Sequence, residues 1–312
     1  MYRKNERKGN KNKKSELSEQ PGDLTVKTYI NWFPGHMAKA MRQVREKLKL
    51  VDMVLEIRDA RVPLVSGNAA LQKDLGQKRC LIVLNKVNLA DPQQVKVWEA
   101  WFREQGAPFI FVNSFDKTSL KRIVKQAKAM MATKWETFAR KGIRHPPLRM
   151  MILGVPNTGK STIINRLTSR KVAATGDRPG VTQSQQWIVL DKDVELLDTP
   201  GIMPPKIIGQ EQGLWLCAIH AIRDEIVGKE KVAFFIIEHL KSINSPELQE
   251  RYQIPSLDIS VGEILEQIGT RLHCRKQEGE LDLLKTAAHI LLDFRKGKLG
   301  RCCFEPCPRT EV

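Results

Sequence analysis

Gly154, Gly159, Lys160 and Ser161 stand in the pattern GxxxxGKS, a spacing suited to cradling a polyphosphate. The flanks agree. Leu148 to Leu153 is an apolar run of strand length, and Lys160 to Leu167 has helical character with no glycine or proline. In a strand, loop and helix the two glycines permit a tight backbone path, N–H groups near Thr158 and Lys160 face phosphate oxygens, and the helix N-terminus adds its dipole. Lys160 is expected to reach the β- and γ-phosphates and Ser161 to ligate Mg²⁺, with Asn157, Thr158, Gly159 and Thr162 completing the nucleotide contacts of the loop.

Asp198 ends the run Val194 to Leu197 and is placed to hold the same Mg²⁺ through water, while the Gly201 N–H contacts the γ-phosphate. Thr182, in Gly180-Val181-Thr182, is the candidate for a further metal-bound hydroxyl; a solvated loop threonine is the plainer reading. A water-orienting glutamine often follows the glycine of such a site. This chain has Ile202, which can neither accept a proton nor hold a water, so unaided hydrolysis should be slow. Two residues could compensate. His36, in Asn31-Trp32-Phe33-Pro34-Gly35-His36-Met37, is expected on a bent loop, where an imidazole could orient or deprotonate water; packing or RNA contact is the competing reading. Asn157 could help bind K⁺ beside the phosphates, or could simply stabilise its turn.

Asn85-Lys86-Val87-Asn88 closes the apolar run Leu81 to Leu84 and is the candidate purine reader. Its fourth position would ordinarily be aspartate, which accepts from both guanine N1–H and the exocyclic amine. Neutral Asn88 offers one acceptor and turns donors toward the other group, a loss of roughly 2–4 kcal/mol for guanine. The same amide suits the 2-oxo group of xanthine. Asn113 and Ser114 follow the next strand, and a backbone N–H near Asn113-Ser114-Phe115 is expected to face purine O6, which disfavours adenine. Weak GTP binding, better XTP binding and poor ATP binding are the expectation.

The elements that position these residues alternate. Strands are predicted near 51–57, 81–85, 108–113, 148–153, 187–190 and 194–197, with helices between most of them, giving an α/β fold with a mostly parallel sheet. After Gly201 the pattern turns helical, over Gly213 to Val227, Ser260 to Arg271 and Leu281 to Phe294. In the last of these, Asp282, Lys285, His289, Asp293 and Lys296 share one face, and the stretch Phe294 to Arg301 is locally basic. Residues 1–28 read as a disordered basic tail, 29–203 as the nucleotide domain, and 204–312 as a small all-α domain. In a Ras-like GTPase the purine motif comes last. Here it comes first, so the parts are circularly permuted; the pocket is kept and the wiring of its switch segments is changed.

The 312 residues carry a formal net charge of +17. Residues 29–203 hold 29 basic and 15 acidic side chains, and residues 204–312 hold 15 and 16, so the excess sits mainly on the nucleotide domain. A surface so basic, on a protein whose own ligand is an anion, points to a polyanion such as RNA. No apolar run is long enough to span a membrane. The tail has neither the apolar core of a signal peptide nor the pattern of a transit peptide. Six cysteines without paired CxxC spacing read as reduced thiols of a cytoplasmic protein.

Trp32-Phe33-Pro34-Gly35-His36-Met37, Asp59-Ala60-Arg61-Val62-Pro63, Gly176-Asp177-Arg178-Pro179-Gly180-Val181-Thr182 and Asp198-Thr199-Pro200-Gly201-Ile202, together with the permuted order, resemble the bacterial ribosome biogenesis GTPase A family from about Ile30 to Phe304. The resemblance implies a monomeric cytoplasmic factor that binds the immature large ribosomal subunit and its rRNA, hydrolyses GTP to GDP late in assembly and then leaves. It also implies K⁺-stimulated hydrolysis, a helical RNA-binding C-terminal domain, and His36 acting in place of the missing glutamine. Asn88 and the extra residues 1–28 depart from the family pattern. A nucleotide-responsive RNA-binding scaffold with negligible turnover is the competing reading, and a small-molecule kinase is disfavoured by Thr182 and Asp198. The permuted order further suggests that GTP-bound switch segments dock the helical domain on rRNA and that hydrolysis releases it.

Overall fold

The computed structural model describes residues 35–68, 74–168, 186–199, 201–203, 209–277 and 279–308. The basic tail, Trp32 to Pro34, and the segment carrying Thr182 lie outside the described residues. Helix α1 (Gly35–Leu48) leads into β1 (Met53–Asp59) and β2 (Arg79–Asn85), followed by a 3₁₀ turn at Val87–Leu89, α2 (Pro92–Glu104) and β3 (Phe109–Phe111). Next come α3 (Lys117–Arg140), β4 (Leu148–Leu153), α4 (Lys160–Leu167), β5 (Gln186–Asp191) and β6 (Val194–Asp198). The remainder is helical: α5 (Gln210–Ala218), α6 (Asp224–Val227), α7 (Lys229–Ser242), α8 (Pro246–Tyr252), α9 (Val261–Arg271) and α10 (Leu283–Arg295).

The six strands form one sheet in the order β3-β2-β1-β4-β6-β5, parallel throughout except for β5 against β6. Parallel strands buried on both faces need apolar side chains on both. Met53, Leu55 and Ile57 of β1 pack toward Leu120, Ile123 and Ala127 of α3, while the intervening Val54 packs toward Met41 and Val44 of α1. The strand runs two residues beyond the predicted end at 57 because charged side chains at its end are buried in pairs. Arg58 meets Glu56 at 2.7 Å, and Arg61, just beyond the strand, meets Asp59 at 2.9 Å.

His36 is not on a loop. It lies in the first turn of α1, a helix whose later residues Met41, Val44 and Leu48 are anchored on the sheet; the side chains of residues 35–40 lie outside the described residues. The predicted helix over Gly213 to Val227 is broken as well. His220 adopts φ 65°, and the N–H groups of Ala221 and Ile222 both turn back to Leu216 O, which ends α5 and starts a turn into α6. On α10, Asp293 is not solvated with its face-mates. It is buried, bound by Arg251 at 2.7 Å and Lys298 at 3.0 Å.

The helices share a core built from α5, α7, α9 and α10, which also receives Val62 and Val155 from the sheet domain. After α10 the chain returns to the sheet domain. Cys302 N–H donates to Leu89 O at 3.1 Å, Phe304 N–H to Arg61 O at 3.0 Å, and Cys307 is buried beside Trp98 and Leu84. Among the described residues no helix is long and apolar enough to cross a membrane.

Candidate nucleotide site

The parallel order brings the C-terminal ends of β2, β4 and β6 to one edge, and the loops that follow them meet there. Asn85 is the joint. Its Nδ2 donates to Thr158 O at 2.8 Å and its Oδ1 accepts from Ser114 N–H at 3.1 Å, so one buried amide ties the purine motif to both the phosphate loop and the loop after β3. Gly159 sits against this amide with φ 97°, and a Cβ there would collide with Asn85 Nδ2. Gly154, with φ 148°, packs so closely on Ile57 O that a side chain is equally excluded.

Lys160 is buried at the start of α4, with Nζ 3.0 Å from Gly154 O and 2.9 Å from Val155 O. Burial pulls its pKa down to about 8, with Asp198 pulling the other way. Asp198 is pushed up to about 6 by burial, an effect that Lys160 and the Thr199 N–H oppose. Both carboxylate oxygens of Asp198 are buried and make no hydrogen bond of good geometry among the described residues. A buried carboxylate so poorly supplied with donors, beside the loop that carries Ser161, fits a hard-oxygen set for Mg²⁺. The segment after Asp198 is pressed onto the phosphate loop: Ile202 N–H donates to Gly154 O at 3.1 Å, and a Cβ on Gly201 would lie 2.9 Å from Pro156 Cα. Thr162 lies on the first turn of α4, and Thr158 turns its hydroxyl to Val155 O at 3.0 Å.

Ile202 explains the absent glutamine. Its side chain is buried with Met41, Val44, Leu153 and Leu197, so the position serves as the seat on which α1 rests. The helix that carries His36 is thereby packed against the residue standing in the glutamine's place.

On the purine side the loops are bonded to one another. The N–H groups of Asn113, Ser114 and Phe115 donate to Ser119 Oγ, Asn85 Oδ1 and Asn113 Oδ1. Lys86, with φ 62°, is also more than a base contact. Its Nζ lies 3.0 Å from Asp59 and donates to Asn157 O at 2.7 Å. Asn88 is exposed on the 3₁₀ turn. Asn157 itself, with φ 58°, donates through Nδ2 to His220 O at 2.8 Å, a contact between the phosphate loop and the helices.

Asp59 stands out in the sequence only within the stretch Asp59 to Pro63, with no role attached. Burial opposes its ionisation, but Arg61 and Lys86 outweigh that and hold the carboxyl below the usual range. The available signal was an acidic residue ending an otherwise apolar strand, followed two positions on by arginine. Glu305 is the other missed group: it accepts from Leu64 N–H at 2.7 Å and from Val65 N–H at 3.1 Å. Burial pushes it from 4.5 up to about 7, against those two N–H groups and Arg58. A raised folded pKa means stability that is full below pH 4.5 and lost as pH rises through 7. At about 1.4 kcal/mol per unit this amounts to about 3 kcal/mol. Urea midpoints are therefore expected to fall between pH 4.5 and pH 7, and to fall less in Glu305→Gln.

Comparison with known proteins agrees with this geometry. The family model described as 50S ribosome-binding GTPase matches residues 149–267, which begin in β4 at the phosphate loop and leave the purine motif on the other side of the match. The ribosome biogenesis GTPase A of Bacillus cereus is 43% identical over 276 residues, covering 88% of this chain and 93% of that protein. That of Bacillus pumilus is 41% identical over 276 residues, covering 88% and 98%. GNP-bound YlqF from T. maritima aligns with a TM-score of 0.63 at 28% identity, over 86% of this chain and 97% of that one. The permuted order of motifs, the phosphate cradle knotted by Asn85 and these relatives together place the chain in the ribosome biogenesis GTPase A family, as a circularly permuted P-loop GTPase that hydrolyses GTP.

Proposed function

We propose that the protein acts in the cytoplasm, as a monomer, in late assembly of the large ribosomal subunit. It binds the precursor and its rRNA in the GTP state and leaves after hydrolysis. The names of its relatives and the +17 charge support this partner. In this reading Asn85, Lys86, Asn88, Asn113 and Ser114 hold the base; Asn157 to Thr162 and Gly201 hold the phosphates; and Ser161, Thr182 and Asp198 hold Mg²⁺. Lys160 leaves the carbonyls of Gly154 and Val155 for the phosphates. His36 orients the attacking water, and K⁺ held by Asn157 adds charge where phosphate negativity develops.

The observation that carries the catalytic part is the burial of Ile202 beneath α1. The usual water-orienting position is used for packing, and the helix packed on it supplies a histidine in its first turn. Hydrolysis is to be measured with and without large subunits, in K⁺ and in Na⁺. Expected is stimulation by subunits in K⁺ that falls at least about 100-fold in His36→Ala while GTP affinity is retained, in line with the size of general-base effects. An unchanged rate in His36→Ala would remove the histidine from the mechanism. Turnover that stays negligible with subunits present would favour the scaffold reading.

A further inference from the structure

The buried pair Asp59 and Arg61 has no place in the pocket chemistry above, yet it lies on a closed path of contacts. Lys86 Nζ meets Asp59 Oδ2 at 3.0 Å. Arg61 grips the same carboxylate with Nε and Nη2, each at 2.9 Å. The Arg61 guanidinium stands 5.2 Å from the centre of the Phe294 ring, on α10. The next residue, Arg295, donates to Cys217 O at 2.8 Å and Ala218 O at 3.2 Å and pairs with Asp224, so it fixes the turn between α5 and α6. His220 in that turn accepts from Asn157 Nδ2 at 2.8 Å, and Asn157 O accepts from Lys86 Nζ at 2.7 Å, which closes the ring.

We infer that Asp59 and Arg61 are positioning residues that couple the nucleotide site to the helical domain, by holding Lys86 in register with α10. Two of the nucleotide-facing residues, Lys86 and Asn157, are each bonded to a segment that Phe294 and Arg295 hold in place. Seating a nucleotide fixes Lys86 and Asn157, and the ring passes that constraint to α10. By reciprocity, a ligand that favours one position of α10 changes nucleotide affinity by the factor by which nucleotide changes that ligand's affinity. A bidentate fork and a ring face are geometrically exacting contacts, so the path has few alternative arrangements. The coupling rests on GTP binding alone and stands whether or not the helical domain touches RNA.

The test is a double-mutant cycle on the full chain, read as the affinity for a fluorescent GDP analogue. Phe294→Leu keeps an apolar side chain and touches no nucleotide-facing residue, yet should weaken GDP about threefold. Asp59→Asn should weaken it about tenfold, raising KM far more than it lowers kcat. The double variant should bind no worse than Asp59→Asn alone, because both substitutions open the same ring. Ile264→Val, in the helical core but off the ring, should leave affinity unchanged. The inference is overturned if Phe294→Leu binds like the unaltered protein, or if the double variant shows the product of the single effects. It is also overturned if affinity across all four variants simply follows their urea midpoints measured without nucleotide.

Discussion

Gly159→Ala is expected to lose nucleotide affinity by 100-fold or more. The backbone there has φ 97°, and the added methyl would enter the space of Asn85 Nδ2. A left-handed conformation costs a side-chain-bearing residue about 1–2 kcal/mol. Displacing Asn85 breaks its bonds to Thr158 O and Ser114 N–H, each worth about 1 kcal/mol and more when a buried group is left unpaired. The sum, about 3–5 kcal/mol, falls on the loop that must present its N–H groups to phosphate. Gly142→Ala is the control, since φ there is 65° with nothing within 4 Å of the new methyl. It should pay only backbone strain and bind nucleotide normally. Titration of both variants with a fluorescent GTP analogue decides the matter, and equal affinities would mean that Asn85 does not organise the cradle.

The opposite change is expected from Asn88→Asp, which should tighten GTP by about 30- to 1000-fold, corresponding to the 2–4 kcal/mol lost with the neutral amide. Asn88 is exposed on a short turn, so the substitution leaves the buried bonds of Asn85 and Lys86 in place. XTP affinity should fall in parallel, because a carboxylate meets the 2-oxo group of xanthine acceptor to acceptor. Competition by GTP, XTP and ATP for the same probe, before and after the substitution, reads both changes at once. If GTP affinity does not move, the base is held without the fourth residue of the motif.

The sequence made the strands and the phosphate loop legible because both are written locally, in apolar runs and in a fixed glycine and lysine spacing. The strand limits fell within about two residues of those observed, an ordinary margin for such boundaries. Where the reading stopped short, as at the end of β1, the cause was that Arg58 and Asp59 look like solvated charges until Glu56, Arg61 and Lys86 are seen beside them. His220 carries no warning in its type that it will break a helix; Arg295, far along the chain, donates to the Cys217 and Ala218 carbonyls beside its turn. Ile202 was read for what it lacks. Its packing role depends on α1, which only the tertiary arrangement reveals.

The return of the chain after α10 has a mechanical consequence. The helices enter from Met203, which is buried in their core, and leave through Cys302 and Cys307, which are fastened to the 3₁₀ turn and to the cluster around Trp98. Between those two ends the body is also held by Asn157 on His220, by Arg61 against Phe294, and by Val62 and Val155 in its core. A body fastened so many times has no room to leave, and any stroke it makes must be a small change of angle.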